Sequence, residues 1–86
     1  MAKMADEAGR TSDLEQLAHL KAMAEKAYDD MYEARSSSAA TAAYSDAKEC
    51  FTDAIGLARQ LELKEEVEAL EKRLAHIKAV FRSQFT

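Results

Sequence analysis

The stretch AAYSDAKECFTDAIGLARQL, residues 42 to 61, has the longest unbroken helical pattern of apolar residues in the chain. Steps of four and three, the repeat of one helix face, separate Ala43, Ala47, Cys50, Ala54, Leu57 and Leu61. Beside this stripe lie Tyr44, Phe51, Ile55 and Ala58, which widen it to more than about a hundred degrees. Because so wide a stripe can contact two neighbours at once, it predicts the middle helix of an antiparallel bundle.

Length and composition set the fold class. The chain has 86 residues, enough for one domain, with no proline and two glycines. Alanine, leucine, glutamate and lysine are abundant, whereas the β-branched residues that favour strands are scarce. We therefore expect an all-α protein, an antiparallel three-helix up-down-up bundle. A domain of this size buries only about 60% of its unfolded surface, so good packing or association is needed for stability.

Charge and cysteine content bear on partners and location. The formal net charge of −4 argues against nucleic acid and anionic membranes as partners, since both attract basic surfaces. The single cysteine, Cys50, excludes an intramolecular disulfide and fits a reducing compartment. No apolar run is long enough for a membrane span or a signal sequence. These features predict a cytoplasmic protein.

The first helix is expected from about residue 13 to residue 35. Residues 1 to 11 show no sustained periodicity and include Gly9, so they are interpreted as a flexible tail preceding a bundle over residues 12 to 86. Ser12 and Glu15 have the spacing of a capping box, which predicts a helix start. The apolar repeat that follows consists of Leu17, Leu20, Ala24, Ala27, Met31 and Ala34.

Two interruptions divide the rest of the chain. The serine run from Ser36 to Ser38 predicts the first turn, and Ser37, Ser38 or Thr41 could each cap a second helix over about residues 38 to 61. The second turn has no glycine or proline, but the apolar stripe shifts there by one residue, or about 100° of rotation. A break between Leu61 and Lys64 lets both stripes face one core, which predicts a third helix over about residues 64 to 84.

The expected core combines apolar residues from all three segments. It comprises Leu17, Leu20, Met31, Phe51, Leu57, Leu70, Leu74 and Ile77.

The central stretch resembles a known helical repeat. Its pattern of aromatic, alanine, aromatic, alanine and two aliphatics resembles the second helix of a tetratricopeptide repeat, carried here by Tyr44, Ala47, Phe51, Ala54, Ile55 and Leu57. The chain also resembles the three-helix microtubule-interacting and trafficking (MIT) domain, whose third helix is similar in spacing to Arg73, Leu74, Ile77, Lys78 and Phe81. Either resemblance implies a groove between two helices that receives a peptide or helix from a partner.

Candidate chemical sites are few. Glu25, Asp29 and Glu33 are spaced by four, which could hold a divalent cation, but nearby basic residues favour a solvated acidic face. An exposed His19 or His76 could accept a phosphoryl group, as in histidine-phosphotransfer domains. The lysine and glycine that usually follow that histidine are missing. We therefore expect no catalytic residue, no bound metal and no cofactor.

The predicted function is a non-catalytic interaction module for a protein or peptide partner. The alternative is a small regulatory protein of an enzyme or of a two-component system. The apolar core shared by three helices of this length cannot bury every apolar side chain. The surplus residues predict the binding surface, and they are Met23, Tyr28, Tyr32, Tyr44, Ile55, Val80 and Phe85. Tyr28 and Tyr32 should meet Val80 and Phe85 at one end of the bundle and form an apolar groove. At high concentration a second copy of the chain is expected to use the same groove as a weak homodimer.

Overall fold

The computed structural model describes the backbone of residues 2 to 85 and the side chains of residues 12 to 84. Over this part of the chain it consists of three α-helices and no strand, in agreement with the all-α prediction. The helices are α1 (Ala2–Glu33), α2 (Ser37–Gln60) and α3 (Lys64–Phe85).

The middle helix packs against both of the others, as its wide apolar stripe predicts. The contact between α1 and α2 is the more extensive one. Small side chains permit this close approach, because six alanines are buried along the two helices: Ala24, Ala27, Ala40, Ala47, Ala54 and Ala58. By contrast, α1 and α3 have few close backbone contacts, so long side chains make most of the connections between them.

The core is centred on Phe51, which is 1% exposed, with Met31 and Ile77 also fully buried. Five of the eight predicted core residues are buried: Leu17, Met31, Phe51, Leu70 and Ile77. The other three, Leu20, Leu57 and Leu74, are half-buried and pack against this cluster. Among the described side chains no polar or charged residue is buried, so the core itself consists of apolar packing.

The first helix begins eleven residues earlier than the predicted start near residue 13. Residues 2 to 11, predicted to be a tail, are helical, and Ser12 lies inside α1, where it cannot act as the N-cap. Ala, Lys, Met, Glu and Arg, which favour helices, make up most of this segment. The one glycine costs only about 1 kcal/mol relative to alanine, so it does not end the helix.

The cap of α2 is Ser36, not one of the three residues considered from sequence. Its backbone is extended, with φ −139° and ψ 158°, and its Oγ accepts a hydrogen bond from the Ala39 backbone N–H at 3.1 Å. Ser37 is already the first residue of the helix, and Thr41 donates its hydroxyl to the Ser37 carbonyl at 2.8 Å. Only a residue just outside the helix can direct its side chain at these first amides.

The second turn lies where the shift in the apolar stripe predicts it. Glu62 has a left-handed backbone with φ 59°. Its N–H donates to the Arg59 carbonyl at 3.0 Å, and the next N–H, of Leu63, donates to the Ala58 carbonyl at 2.9 Å. These two bonds form a Schellman motif, which ends α2 without glycine. The turn compensates for the one-residue shift of the apolar stripe, because Leu63 and Val67 after it pack against the core.

Candidate peptide-binding groove

A groove between α1 and α3 contains three of the four residues predicted to bind a partner. Its volume is about 340 Å³. Tyr28 and Tyr32 line it from α1, and Val80 lines it from α3 together with His76, Ala79, Ser83 and Gln84. Because residues 28 and 32 are one helical turn apart, as are 76 and 80, each helix presents one face to the groove. The fourth predicted residue, Phe85, has a side chain outside the described range.

Tyr28 forms the centre of the groove and contacts three other side chains. Its ring meets that of Tyr32 edge to face at a centroid distance of 6.0 Å, and the His76 ring lies 6.4 Å away. The guanidinium carbon of Arg73 lies 4.7 Å from the Tyr28 ring centre, a cation–π contact. Tyr28 is half-buried and packs against the core, so it forms part of the groove floor.

Arg73 connects α3 to α1 beside the groove. Its Nε and Nη2 donate to the two carboxylate oxygens of Glu25, at 2.8 and 2.7 Å. These hydrogen bonds and the charge of Arg73 lower the pKa of Glu25, although partial burial acts in the opposite direction. The paired geometry restrains the guanidinium over Tyr28, because a bidentate contact leaves Arg73 little rotational freedom.

Tyr32 is the exposed tyrosine of the groove. Its side chain is 54% exposed, one of the largest exposures among the described apolar residues. The amide of Gln84 donates to the Tyr32 hydroxyl at 3.5 Å, at the outer edge of the groove. A ligand can therefore cover the apolar face of the Tyr32 ring while the Tyr32 hydroxyl keeps its hydrogen bond to Gln84.

The structure places the surplus apolar residues in different environments. Ile55 is buried in the core, so it does not contribute to the surplus. Tyr44 stacks on Phe81 at a centroid distance of 4.0 Å and a plane angle of 6°. Val80 is half-buried beside the core, whereas Met23 is exposed on α1, away from the predicted groove. Of the three predicted groove residues with described side chains, Tyr28 and Val80 are therefore half-buried and Tyr32 is exposed.

The sequence did not predict the groove residues His76, Ala79, Ser83 and Gln84, or the contact of Arg73 with Tyr28. His76 could have been found, because it precedes Val80 by four residues and must share its helix face. The contacts of Arg73 and Gln84 with α1 depend on how the two helices are rotated, which periodicity does not reveal. His19 and His76 are both exposed.

The predicted acidic face contains Glu25, Asp29 and Glu33, and Glu25 is bound to Arg73. Among the described side chains, no three His, Cys, Asp or Glu residues come together as a metal site.

None of the helices within the described residues has an apolar segment long enough to cross a membrane. No family model, no curated protein and no solved structure matches this chain.

Proposed function

We propose that the protein is a non-catalytic interaction module that binds a peptide or short helix of a partner protein in the groove between α1 and α3. The observation that carries this proposal is the exposure of Tyr32 in a groove whose floor contains Tyr28 and Val80. A large aromatic ring kept at the surface beside other apolar groups is typical of sites where a partner excludes water.

The contacts around Tyr28 support the same proposal. Arg73 is bound to Glu25 by two hydrogen bonds and covers Tyr28, so the aromatic floor is in place before a ligand arrives. A preformed site reduces the entropy lost on binding.

The proposal includes an antiparallel up-down-up arrangement of the tetratricopeptide or MIT type. The contacts between α1 and α3 rise together in residue number, from Lys21 with Glu66 to Tyr32 with Gln84, which supports parallel first and third helices. Between α2 and α3 the order is reversed, since Arg59 contacts Glu71 whereas Tyr44 contacts Phe81. We propose a cytoplasmic protein that needs no cofactor and binds neither nucleic acid nor membrane.

A peptide library displayed on phage tests the proposed function. Peptides selected on the wild-type protein are measured against Tyr32→Glu, which places a charge in the groove without disturbing the core. Thr52→Glu is the matched control, because Thr52 is exposed on α2 and is not a groove residue. We expect Tyr32→Glu to weaken binding by at least about tenfold and Thr52→Glu to leave it nearly unchanged. Equal binding to both variants would refute the groove.

Self-association through the same groove is tested by sedimentation. We propose that the wild type forms a weak homodimer between micromolar and millimolar concentration, and that Tyr32→Glu combined with Phe85→Glu abolishes it. A strictly monomeric wild type would exclude the dimer.

The rival regulatory function makes a different prediction. A histidine-phosphotransfer protein would take up phosphate from a phosphoryl donor at His19 or His76, both of which are exposed. Incubation with acetyl phosphate, followed by mass spectrometry of wild type and of His19→Gln and His76→Gln, separates the two classes. A stoichiometric label at either histidine would favour the regulator over the interaction module.

A further inference from the structure

A second groove lies between α1 and α2, on a different side of the molecule from the tyrosines. Its volume is about 470 Å³. The floor is apolar and consists of Leu20, Met23 and Ala27 from α1 and Cys50 from α2. Met23 is 45% exposed, so its apolar side chain stands open to water, whereas Leu20 and Cys50 are half-buried. Methionine is flexible and polarizable, which suits it to a surface that must fit a partner's side chains.

Carboxylates surround this apolar floor. Asp46, Glu49 and Asp53 follow each other at steps of three and four on α2, and Asp30 lies opposite on α1. Lys26 is the one basic residue among the described residues that line the groove, and its Nζ already lies 3.6 Å from Asp30. The groove therefore has four carboxylates and one basic residue in its lining, and that basic residue pairs with Asp30.

The basic residues of α2 do not compensate this charge, because they are directed toward other contacts. Lys48 lies over the Tyr44 ring at 4.4 Å, and Arg59 binds Glu71 of α3 at 3.0 Å. On α1, Lys21 binds Glu66 of α3. These carboxylates also affect Cys50, because burial and the charges of Asp46, Asp53 and Glu49 raise the pKa of its thiol.

We propose that this groove docks a basic amphipathic helix of a partner protein. Apolar side chains of the partner cover Met23 and Cys50, and its lysines or arginines pair with Asp46, Glu49 and Asp53. The acidic residues extend over about 10 Å of α2, two helical turns, which matches basic residues spaced by three and four on a ligand helix. Charge complementarity identifies the occupant, since an acidic or neutral helix would leave the carboxylates facing like charge or an apolar surface.

A second copy of the chain is a poorer occupant. At this groove the carboxylates would meet a chain whose formal net charge is −4, whereas a basic helix would meet them with opposite charge. Arg73 of α3 is also engaged within the molecule, because it binds Glu25.

The test uses a pair of designed helical peptides and the full-length protein. Both peptides have about 18 residues, or five helical turns, with leucines on one face. Lysines flank the leucines in the first peptide, and glutamates replace these lysines in the second. Binding is measured by calorimetry and mapped by backbone amide shifts. We expect the lysine peptide to bind, to shift the amides around Met23 and Cys50, and to weaken as salt is raised. Comparable binding of the glutamate peptide would overturn the proposal.

Charge-matched variants separate the groove from general attraction. In the rim variant, Asp46→Asn and Asp53→Asn remove two of the carboxylates that surround the apolar floor. In the outside variant, Asp13→Asn and Glu68→Gln remove two negative charges at exposed positions that do not line the groove. The rim variant should lower the affinity by at least about tenfold and the outside variant by no more than about twofold. Equal losses in the two variants would show general attraction and overturn the groove.

The apolar floor and the occupant have their own tests. Met23→Ser, at an exposed position that leaves the core intact, should lower the affinity for the lysine peptide by about fivefold. Unchanged affinity would mean that the floor is not covered.

Sedimentation of the wild type and the rim variant tests whether a second copy of the chain occupies this groove. A wild-type dimer that the rim variant abolishes would identify another chain, not a basic partner, as the occupant.

Discussion

Arg73 on α3 and Glu25 on α1 form a bidentate ion pair, with two nitrogen-to-oxygen distances of 2.8 and 2.7 Å. It connects two helices that have few close backbone contacts and positions the guanidinium over Tyr28. Both side chains remain more than one-third exposed, at 37% for Arg73 and 44% for Glu25. Solvent therefore weakens the pair, and we expect it to contribute about 0.5 to 1 kcal/mol to the free energy of unfolding.

This pair makes stability depend on pH in a defined direction. The pKa of Glu25 lies below its ordinary value of 4.5 in the folded protein, so at acidic pH the unfolded chain binds more protons at this residue. The contribution is complete above pH 4.5 and is lost as the pH falls through the lowered pKa. Urea unfolding should show Glu25→Gln less stable than wild type at neutral pH, with the gap closing in acid. The exposed residue Glu33, changed to Gln, is the control; an equal pH-dependent gap there would contradict the assignment.

Phe51→Ala tests the core. Phe51 is fully buried where all three helices pack together, and its truncation should cost about 3 to 5 kcal/mol, enough to unfold much of so small a domain. Met23→Ala, at an exposed position, should cost less than about 1 kcal/mol. Thermal melts followed by circular dichroism measure both. A melting temperature barely changed by Phe51→Ala would show that this packing is wrong.

The serine run offers a test at single-residue resolution. Ser36→Ala removes the acceptor for the Ala39 N–H and should destabilise the protein by about 1 kcal/mol. Ser37→Ala, at the first residue of the helix, should be nearly neutral, because alanine is a better helix former and no cap is lost. Chemical denaturation of the two variants ranks them. The reverse order would place the cap at Ser37.

Glu62 is a site where glycine should stabilise the protein. A left-handed backbone is unfavourable for residues with a Cβ, so Glu62→Gly should raise the free energy of unfolding by about 0.5 to 1 kcal/mol after allowing for the greater freedom of glycine in the unfolded chain. Glu68→Gly, at an exposed helical position of α3, should lower it by about 1 kcal/mol. If both variants lost stability equally, the left-handed turn would be absent.

The amino-acid sequence by itself determined the features that depend on local periodicity. The stripe from Ala43 to Leu61 predicts a helix with two packing partners, and the one-residue shift after Leu61 predicts the second turn. Phe51, Met31 and Ile77 are identified as core for the same reason, since a helical repeat of apolar residues has one face to bury.

Tertiary structure decided which faces and side chains meet. Periodicity places Tyr32 and Ile55 equally among the surplus apolar residues, yet Ile55 is buried and Tyr32 is exposed. The pairing of Arg73 with Glu25, 48 residues apart, is equally invisible in the sequence. Such contacts depend on how one helix is rotated and shifted along its axis relative to another. Packing of the whole core determines that rotation and shift. The apolar repeat of a helix defines only which of its own faces is buried, and not where the neighbouring helix lies.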